Sequence, residues 1–438
     1  MAAELINIIR EHKSGRPVGI CSVCSANRFV IEAAIKHAAV KNEFLLIEST
    51  SNQVDQFGGY TGMQPADFAR FVHTMADRLS FPREKIILGG DHLGPNVWHK
   101  ENESTAMKKA GDQIEAYVRA GYTKIHLDAS MRLGNDDPRL PLSANLVARR
   151  TVEMCRAAET AALPLAEKPV YVIGSDVPVP GGAQAAMDGI HITRPEEVAE
   201  TIEVTREHFV RAGLEEAWQR VVAVVVQPGV EFSNNEVFYY DHNKALPLSL
   251  FIESQAELVY EAHSTDYQTE QCLNRMVEDH FAILKVGPWL TFAYREALFA
   301  LEAIEKEYLA AQKGVVLSDL KKTITRLMHD EPEYWKDHFR GSDDEIAFSC
   351  LYSLSDRIRY YWPKSGMDKA LHRLISNLGR HPAPLSLISQ YLPEQHNAII
   401  NKKLSPNPVD LIHDKIGGVL AKYHRATHGA SRPSKLTF

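Results

Sequence analysis

The chain has 438 residues, of which 45% are hydrophobic and 24% are charged, and its formal net charge is −7. These fractions are typical of a globular protein and exclude a disordered, collagenous or low-complexity chain. The net negative charge, with no basic half, argues against nucleic acid as a partner, because phosphate backbones require clustered Lys and Arg.

Three further features concern the compartment. The longest apolar run, residues 221–226, is far shorter than the roughly 20 residues that a membrane helix requires. The first residues contain neither the basic nor the apolar part of an export signal. Five cysteines are too few for a disulfide framework in a chain of this length. We therefore expect a cytoplasmic protein with no membrane partner.

Short β-branched runs recur along the chain, with helical patterns between them. Several of these runs are almost entirely apolar, which is typical of strands buried on both faces of a parallel sheet. The segments between successive runs are long enough for a loop, a crossover helix and a second loop that leads to the next parallel strand. The predicted strands cover residues 17–23, 43–49, 85–91, 124–128, 169–176, 220–227, 258–263 and 281–286.

Eight strands that alternate with helices predict a closed (β/α)₈ barrel, the TIM-barrel fold. An open doubly wound sheet is the alternative. We expect the barrel to occupy residues 1–310 and a helical extension, packed on the barrel, to occupy residues 311–425. Helical patterns in the extension cover residues 317–328, 343–361, 367–378 and 408–423, and residues 426–438 predict a flexible tail.

Polar or glycine-rich clusters follow nearly every predicted strand. Barrel enzymes build their active sites from residues at the carboxyl ends of the strands. Acids and imidazoles stand at many of these ends, as in the segments 48–53, 126–130 and 261–266. We therefore predict that the functional site lies at this rim of the barrel.

The strongest local signal is Asp91 followed directly by His92, flanked by glycines at the end of the third strand. A neutral imidazole can bind a divalent ion while an adjacent carboxylate transfers a proton. The structural alternative is an Asp and a His that cap a buried turn. His263 is the next candidate ligand, because catalytic metal sites take three protein ligands and keep one position open. For the third ligand Glu231 is the first choice and His126 the second.

Further polar residues supply acids and substrate contacts. His126 and Asp128 are two apart on one strand, so both point to the same face; Asp128 and Asp176 are candidate acids for proton transfer. A proline-rich stretch that leads into paired glycines suits an anion-binding loop. The candidate substrate- or phosphate-binding residues are Glu48, Asn52, Gln53, His126, Gly181, Gly182, Lys285, Arg357 and Arg359.

Several long motifs resemble the tagatose-bisphosphate aldolase Z-subunit family, of GatZ/KbaZ type. The similarity runs from residue 1 to about residue 425. The motifs occupy residues 21–25, 51–63, 89–96, 177–182, 260–268, 353–362 and 389–393. The family often has Glu where this chain has Asp176.

The resemblance implies a barrel that acts in tagatose phosphate and galactitol metabolism. Some members are described as non-catalytic partners of a class II aldolase subunit, and others as 4-epimerases of tagatose 6-phosphate. Older kinase labels have no support here, because the chain has no nucleotide-binding motif. More distantly, class II aldolases use an Asp-His pair and a later His, which would correspond to Asp91, His92 and His263.

We therefore expect a metal-dependent 4-epimerase of tagatose 6-phosphate and fructose 6-phosphate, with zinc as the expected cofactor. The alternative is a stabilising subunit that binds a class II aldolase. Assembly into a homo-oligomer is left open.

Overall fold

The computed structural model describes residues 1–174 and 190–429. The strands are β1 Ile20–Cys24, β2 Leu45–Thr50, β3 Ile86–Leu93, β4 Lys124–Leu127, β5 Val170–Ile173, β6 Val221–Val225, β7 Glu231–Phe232, β8 Val237–Phe238, β9 Val259–Ala262 and β10 Phe281–Val286. Eight of the ten strands observed in these residues overlap the eight ranges predicted from the apolar runs, and β7 and β8 were not predicted.

Eight of these strands close into one parallel barrel in the order β1-β10-β9-β6-β5-β4-β3-β2. The TIM-barrel prediction is confirmed, and the open-sheet alternative is excluded by the pairing of β1 with β10. The remaining two strands, β7 and β8, form an antiparallel hairpin in the connection that follows β6. All the carboxyl ends of the barrel strands therefore meet at one rim.

Helices surround this barrel, and several begin at a side-chain cap; the side chain of Asn27, for example, accepts hydrogen bonds from the first turn of α2. The α-helices are α1 Ala2–Lys13, α2 Arg28–Lys41, α3 Pro65–Arg78, α4 Glu103–Arg119, α5 Ala144–Ala162, α6 Pro195–Arg211, α7 Glu215–Trp218, α8 His242–Glu253, α9 Glu270–Glu278, α10 Pro288–Leu309, α11 Leu320–Asp330, α12 Asp343–Tyr352, α13 Ser365–Arg380, α14 Leu385–Tyr391, α15 Pro393–Ile400 and α16 Pro408–Thr427.

The amino end of the barrel is closed by α1. Its apolar residues Ala2, Leu5 and Ile9 are buried and belong to one apolar cluster with interior residues of the strands, among them Val222 and Val259. This packing keeps water from the barrel interior on that side. The opposite rim is left for polar side chains.

The last helix, α16, lies in the ring of helices around the barrel. It packs against α2, α9 and α10, and it also contacts β1. The C-terminal helices therefore contribute to the barrel itself, while a domain boundary at residue 310 stays a prediction. Residues 426 and 427, predicted as tail, belong to α16.

One predicted helix is interrupted. The pattern at residues 343–361 predicted a continuous helix, but α12 ends at Tyr352 and a 3₁₀ turn, Arg357–Tyr360, follows. Between them Asp356 has a φ of 45°, in the left-handed region that a continuous helix does not use. The interruption turns the segment toward the barrel rim.

No helix in the described parts of the chain combines the length and the apolarity that a membrane crossing requires.

The packing of α1 generates a test of stability. Leu5 is fully buried, so Leu5→Ala should leave a cavity and cost about 2–5 kcal/mol. We expect a clear fall in the midpoint of thermal unfolding. The matched control is Leu250→Ala, because Leu250 is 59% exposed and should change stability by less than about 0.5 kcal/mol. Equal midpoints for the two variants would contradict the packing of α1 described here.

Candidate active site

The interior of the barrel rim holds a cluster of buried charges. The ammonium group of Lys124, from β4, lies 2.5 Å from Oε1 of Glu48 and 2.6 Å from Oε2 of Glu261. Lys285, from β10, reaches Oε2 of Glu48 at 2.6 Å and Oε1 of Glu261 at 3.3 Å, and it also contacts the carboxylate of Asp91. Two lysines thus connect three carboxylates from β2, β3 and β9.

These pairs keep the groups charged although they are buried. Burial opposes the charge on Asp91, but His92 and Lys285 outweigh it and hold the pKa of Asp91 well below its usual range. The pKa of Glu261 is also well below its usual range, because Lys124 and Lys285 outweigh burial in the same way. The carboxylates in turn outweigh burial at Lys285 and raise its pKa. Asp91, Glu261 and Lys285 are therefore charged at neutral pH.

Three imidazoles meet beside this cluster. Nε2 of His92 lies 3.2 Å from Nδ1 of His263. The ring centres are 4.7 Å apart for His92 and His263, and His126 lies 5.3 Å from each of them. Two imidazoles bound to one tetrahedral zinc ion at about 2 Å have nitrogens about 3.3 Å apart and ring centres about 5 Å apart. The nitrogens of His92 and His263 match that geometry. His126 and His263 also have ligand atoms within 4.8 Å of each other and of oxygens of Asp91 and Glu261.

Each of the three rings is oriented by its own carboxylate. A carboxylate that accepts from one ring nitrogen leaves the other nitrogen available to a metal, an arrangement common in metal sites. The contacts are His92 Nδ1 to Asp128 Oδ2 at 2.9 Å, His263 Nε2 to Glu261 Oε1 at 3.0 Å, and His126 Nδ1 to Asp91 Oδ1 at 3.2 Å.

Two observations test whether a divalent cation fits here. Within the described residues, Nε2 of His126 is buried and has no hydrogen-bond partner, so this ring position is open to a ligand. With the imidazoles neutral, as metal binding requires, four buried carboxylates against two ammonium groups leave a formal charge of −2, with Asp128 as the fourth. A buried net charge is costly unless it is compensated. The residues present therefore fit a divalent cation.

The glycines around the Asp-His pair give these side chains room. A Cβ on Gly89 would lie 2.6 Å from the carboxylate of Glu48, and a Cβ on Gly94 would lie 1.9 Å from the backbone oxygen of Asp128. His92 itself has a φ of 48°, a left-handed conformation that is uncommon outside glycine. This backbone turn directs His92 toward His263 rather than along the strand.

A cavity opens above the cluster at the barrel rim. It is lined by the strand ends and by the turn that contains Arg359 and Tyr360. Seven predicted site residues line it, namely Asn52, Gln53, Asp91, His92, His263, Lys285 and Arg359. Glu48 and His126 lie in the buried cluster beneath it. Asp128 contacts His92 and Asn96, so it positions the imidazole of His92.

Glu231, the first choice as third ligand, is not part of the imidazole cluster. It lies at the start of the β7–β8 hairpin, its Oε1 accepts from the backbone N–H of Phe232, and its side chain also contacts Ser264. Burial raises its pKa to about 7. The geometry favours His126, the second choice, as the third ligand.

Arg357 also lies away from the cavity. Its guanidinium donates to Nδ1 of His338 at 2.7 Å, within the C-terminal helical region, and burial lowers its pKa to about 10. Asp176, Gly181 and Gly182 lie outside the described residues. The structure therefore places only Arg359 of the predicted arginines in the wall of the cavity.

Two residues in the cavity wall were not assigned a role from the sequence. Asp266 accepts hydrogen bonds from the backbone N–H groups of Gly287 and Trp289, at the start of α10, and burial raises its pKa to about 6. Burial opposes ionisation of Tyr360, but Arg359 and Arg357 outweigh it and lower the pKa of Tyr360. Both residues stand in motifs that carry the family resemblance, which was the signal available to find them.

The fold and the site together define a (β/α)₈-barrel protein whose rim holds a buried centre of imidazoles and carboxylates. The family model described as D-tagatose-1,6-bisphosphate aldolase subunit GatZ/KbaZ-like matches residues 5–428. The chain belongs to this GatZ/KbaZ-like family, as the resemblance predicted.

Two relatives illustrate the match. The chain is 50% identical to the D-tagatose-1,6-bisphosphate aldolase subunit GatZ of Escherichia coli over 417 residues, which cover 95% of this chain and 98% of that protein. It is 43% identical to a protein from Sinorhizobium meliloti 1021 whose crystal structure is described as a probable tagatose 6 phosphate kinase. That comparison has a TM-score of 0.85 and covers 93% of this chain and 100% of the other.

The ligand geometry yields a test that separates His126 from Glu231. His126→Asn should weaken zinc binding at the centre by more than the roughly 10–100-fold that loss of an outer partner costs. Glu231→Gln is the control, and we expect its zinc affinity to equal that of the unmodified chain. Calorimetric titration of the chelated proteins with Zn²⁺ measures both. The opposite ranking would assign the third ligand to Glu231.

Proposed function

We propose that the protein is a metal-dependent 4-epimerase that interconverts D-tagatose 6-phosphate and D-fructose 6-phosphate. The observation that carries the proposal is the group of three imidazoles beside Asp91, directly beneath a cavity open to solvent. Membership of the GatZ/KbaZ-like family supports a sugar-phosphate substrate.

Epimerisation at C4 of a 2-ketose needs a route other than direct deprotonation of that carbon. C4 is β to the carbonyl, so its hydrogen is not acidic. In the proposed route the C4 hydroxyl loses its proton and the C3–C4 bond breaks, and its electron pair stays with the three-carbon fragment as an enediolate. The phosphorylated aldehyde rotates, the bond re-forms on the other face, and the proton returns to the C4 oxygen.

A divalent cation held by the three imidazoles would supply a Lewis acid for the negative charge that develops on substrate oxygens. Asp91 takes the proton from the C4 hydroxyl and returns it, because its carboxylate lines the cavity and is kept ionised. Lys285 lies against Asp91 and adds a positive charge at the base of the cavity. The buried Asp128 holds the imidazole of His92 in position.

Residues higher in the cavity bind the rest of the substrate. Arg359 is the arginine in the cavity wall and is proposed to bind the 6-phosphate. Tyr360 also lines the cavity and is proposed to hydrogen-bond the C4 oxygen after the aldehyde has rotated, while the proton itself stays with Asp91. Asn52 and Gln53 bind hydroxyl groups. On the sequence alone, Asp176 is proposed as a further acid for proton transfer, and the loop with Gly181 and Gly182 as a substrate or phosphate contact.

One observation favours a second candidate function. The relative from Escherichia coli, at 50% identity, is named as a subunit of D-tagatose-1,6-bisphosphate aldolase. The chain could accordingly bind and stabilise a class II aldolase subunit without catalysis of its own. The kinase named for the relative from Sinorhizobium meliloti is not proposed, because the chain contains no nucleotide-binding motif.

Incubation of the purified chain alone with tagatose 6-phosphate separates the two candidates. We expect NMR to show that fructose 6-phosphate accumulates. The conversion should stop after the metal is removed by chelation and gel filtration, because the developing negative charge then lacks a Lewis acid. Zinc should restore it. If the pure chain forms no product while an added class II aldolase subunit gains stability, the subunit function is the correct one.

Asp91→Asn tests the proton transfer separately from the metal. The amide preserves the shape of the side chain but removes the base, so turnover should fall by about 10²–10⁴-fold. Zinc affinity should fall by no more than the roughly 10–100-fold that loss of an outer partner costs, so metal content measured at saturating zinc should stay that of the unmodified chain. Glu231→Gln is the control, because it changes a buried carboxyl group that lies outside the imidazole cluster. Unchanged turnover in Asp91→Asn would overturn the role of Asp91.

A further inference from the structure

A second group of metal-ligating side chains lies outside the cavity, where the end of α16 meets the loop before β2. Nδ1 of His424 lies 3.0 Å from Oε2 of Glu43, and Nε2 of His428 lies 3.5 Å from Oε1 of the same carboxylate. One ligand atom from each of these three residues falls within 4.8 Å of the others. We call Glu43, His37, His424 and His428 the α16 cluster.

The two α16 histidines are spaced for joint binding. They are four residues apart on the helix, so they lie on the same face, and their ring centres are 4.5 Å apart. Nδ1 of His428 donates to the backbone oxygen of His424 at 3.0 Å. The Nε2 atom of His428, which faces Glu43, is thereby left with its lone pair.

His37 supplies an independent observation. It lies on α2, and its ring centre is 5.6 Å from that of His424. Within the described residues, Nε2 of His37 is buried and has no hydrogen-bond partner. A buried nitrogen without a partner is costly, and a ligand at this point would remove that cost.

From this arrangement we propose that the α16 cluster binds a zinc ion. Glu43 and the two α16 histidines supply three ligands whose atoms lie within 4.8 Å of one another. His37 lies outside that group but beside His424, and its unpartnered Nε2 is assigned the fourth position of a tetrahedral site of the closed, structural type. The ring separations of 4.5 Å and 5.6 Å lie on either side of the spacing of about 5 Å that two imidazoles on one zinc ion adopt. The nearby Arg425 is paired with Glu270 through two contacts of 2.7 Å, so its charge is compensated.

The proposed ion would join three elements of the barrel wall: α2, the loop before β2, and α16. The neighbouring Tyr423 donates its hydroxyl to the backbone oxygen of Thr265 at 2.8 Å. Thr265 follows His263 by two residues, so α16 supports the segment that carries a ligand of the central site. Zinc in the α16 cluster therefore stabilises the position of that segment from outside the cavity.

The alternative for this cluster is a set of ion pairs between Glu43 and protonated histidines, with no metal. Counting zinc distinguishes the two. The chelated full-length chain is titrated with Zn²⁺ alone, unbound metal is removed, and bound zinc is measured by atomic spectrometry. The variants are His424→Gln and His428→Gln, with His329→Gln as the control, because the side chain of His329 is 88% exposed and pairs only with Asp330.

We expect two zinc equivalents in the unmodified chain and in His329→Gln, and one in His424→Gln. The side chain of His428 is 44% exposed, so its replacement should not disturb the fold. His428→Gln therefore keeps the test valid if His424→Gln does not fold. The His428→Gln variant should bind the second zinc equivalent more weakly by at least about 10-fold. Zinc should also raise the thermal unfolding midpoint more in the unmodified chain than in either variant.

Equal zinc content in all four proteins would overturn the proposal. The result is separable from the proposed epimerase activity, which depends on the central imidazoles. If those bound no zinc, the unmodified chain would hold one equivalent and His424→Gln none, which would support the α16 cluster and count against the epimerase mechanism.

Discussion

The structure depends on the mutual compensation of charges buried at the barrel rim. Lys124 joins Glu48 and Glu261 across the interior, and none of the three side chains has exposed surface. Removing one member of such a group typically costs about 3–5 kcal/mol, since the remaining charge has no partner. The same carboxylates orient the imidazoles, as Glu261 does for His263. The positions of the candidate ligands therefore follow from the ion pairs.

Most of the barrel could be predicted from the sequence because its physical signal is local. A strand buried on both faces must be apolar throughout, as β6 is, and that run is visible without a structure. The placement of α16 was not predictable in this way, because it depends on contacts with α2 and α9 that are distant in sequence. The break near Asp356 was also hidden, since the apolar pattern of residues 343–361 continues through it.

The candidate site was predictable as far as the strand ends determine it. The sequence indicated that His92 and His263 lie at one rim, and the structure brings their nitrogens to 3.2 Å. The sequence could not show whether Glu231 or His126 is the third ligand. Glu231 follows the end of β6 by several residues, and the direction of its side chain is set by the β7–β8 hairpin. His126 lies within β4, where the strand itself directs it inward. Residues within strands were thus the more predictable ligands.

The cost of the buried cluster bears on whether this barrel acts only as a stabilising partner. Apolar side chains of similar volume often replace a buried ion pair with no loss of stability, and sometimes with a gain of about 1–4 kcal/mol. A subunit selected only to stabilise another chain gains nothing from four carboxylates and two ammonium groups in its core. A catalyst gains from such charges. Charges that are already fixed around an open cavity stabilise the charge that develops on a substrate, and the protein does not have to reorganise during the reaction. Four buried carboxylates beside three imidazoles, beneath an open cavity, therefore favour the proposed cation binding and catalysis over the proposed subunit function.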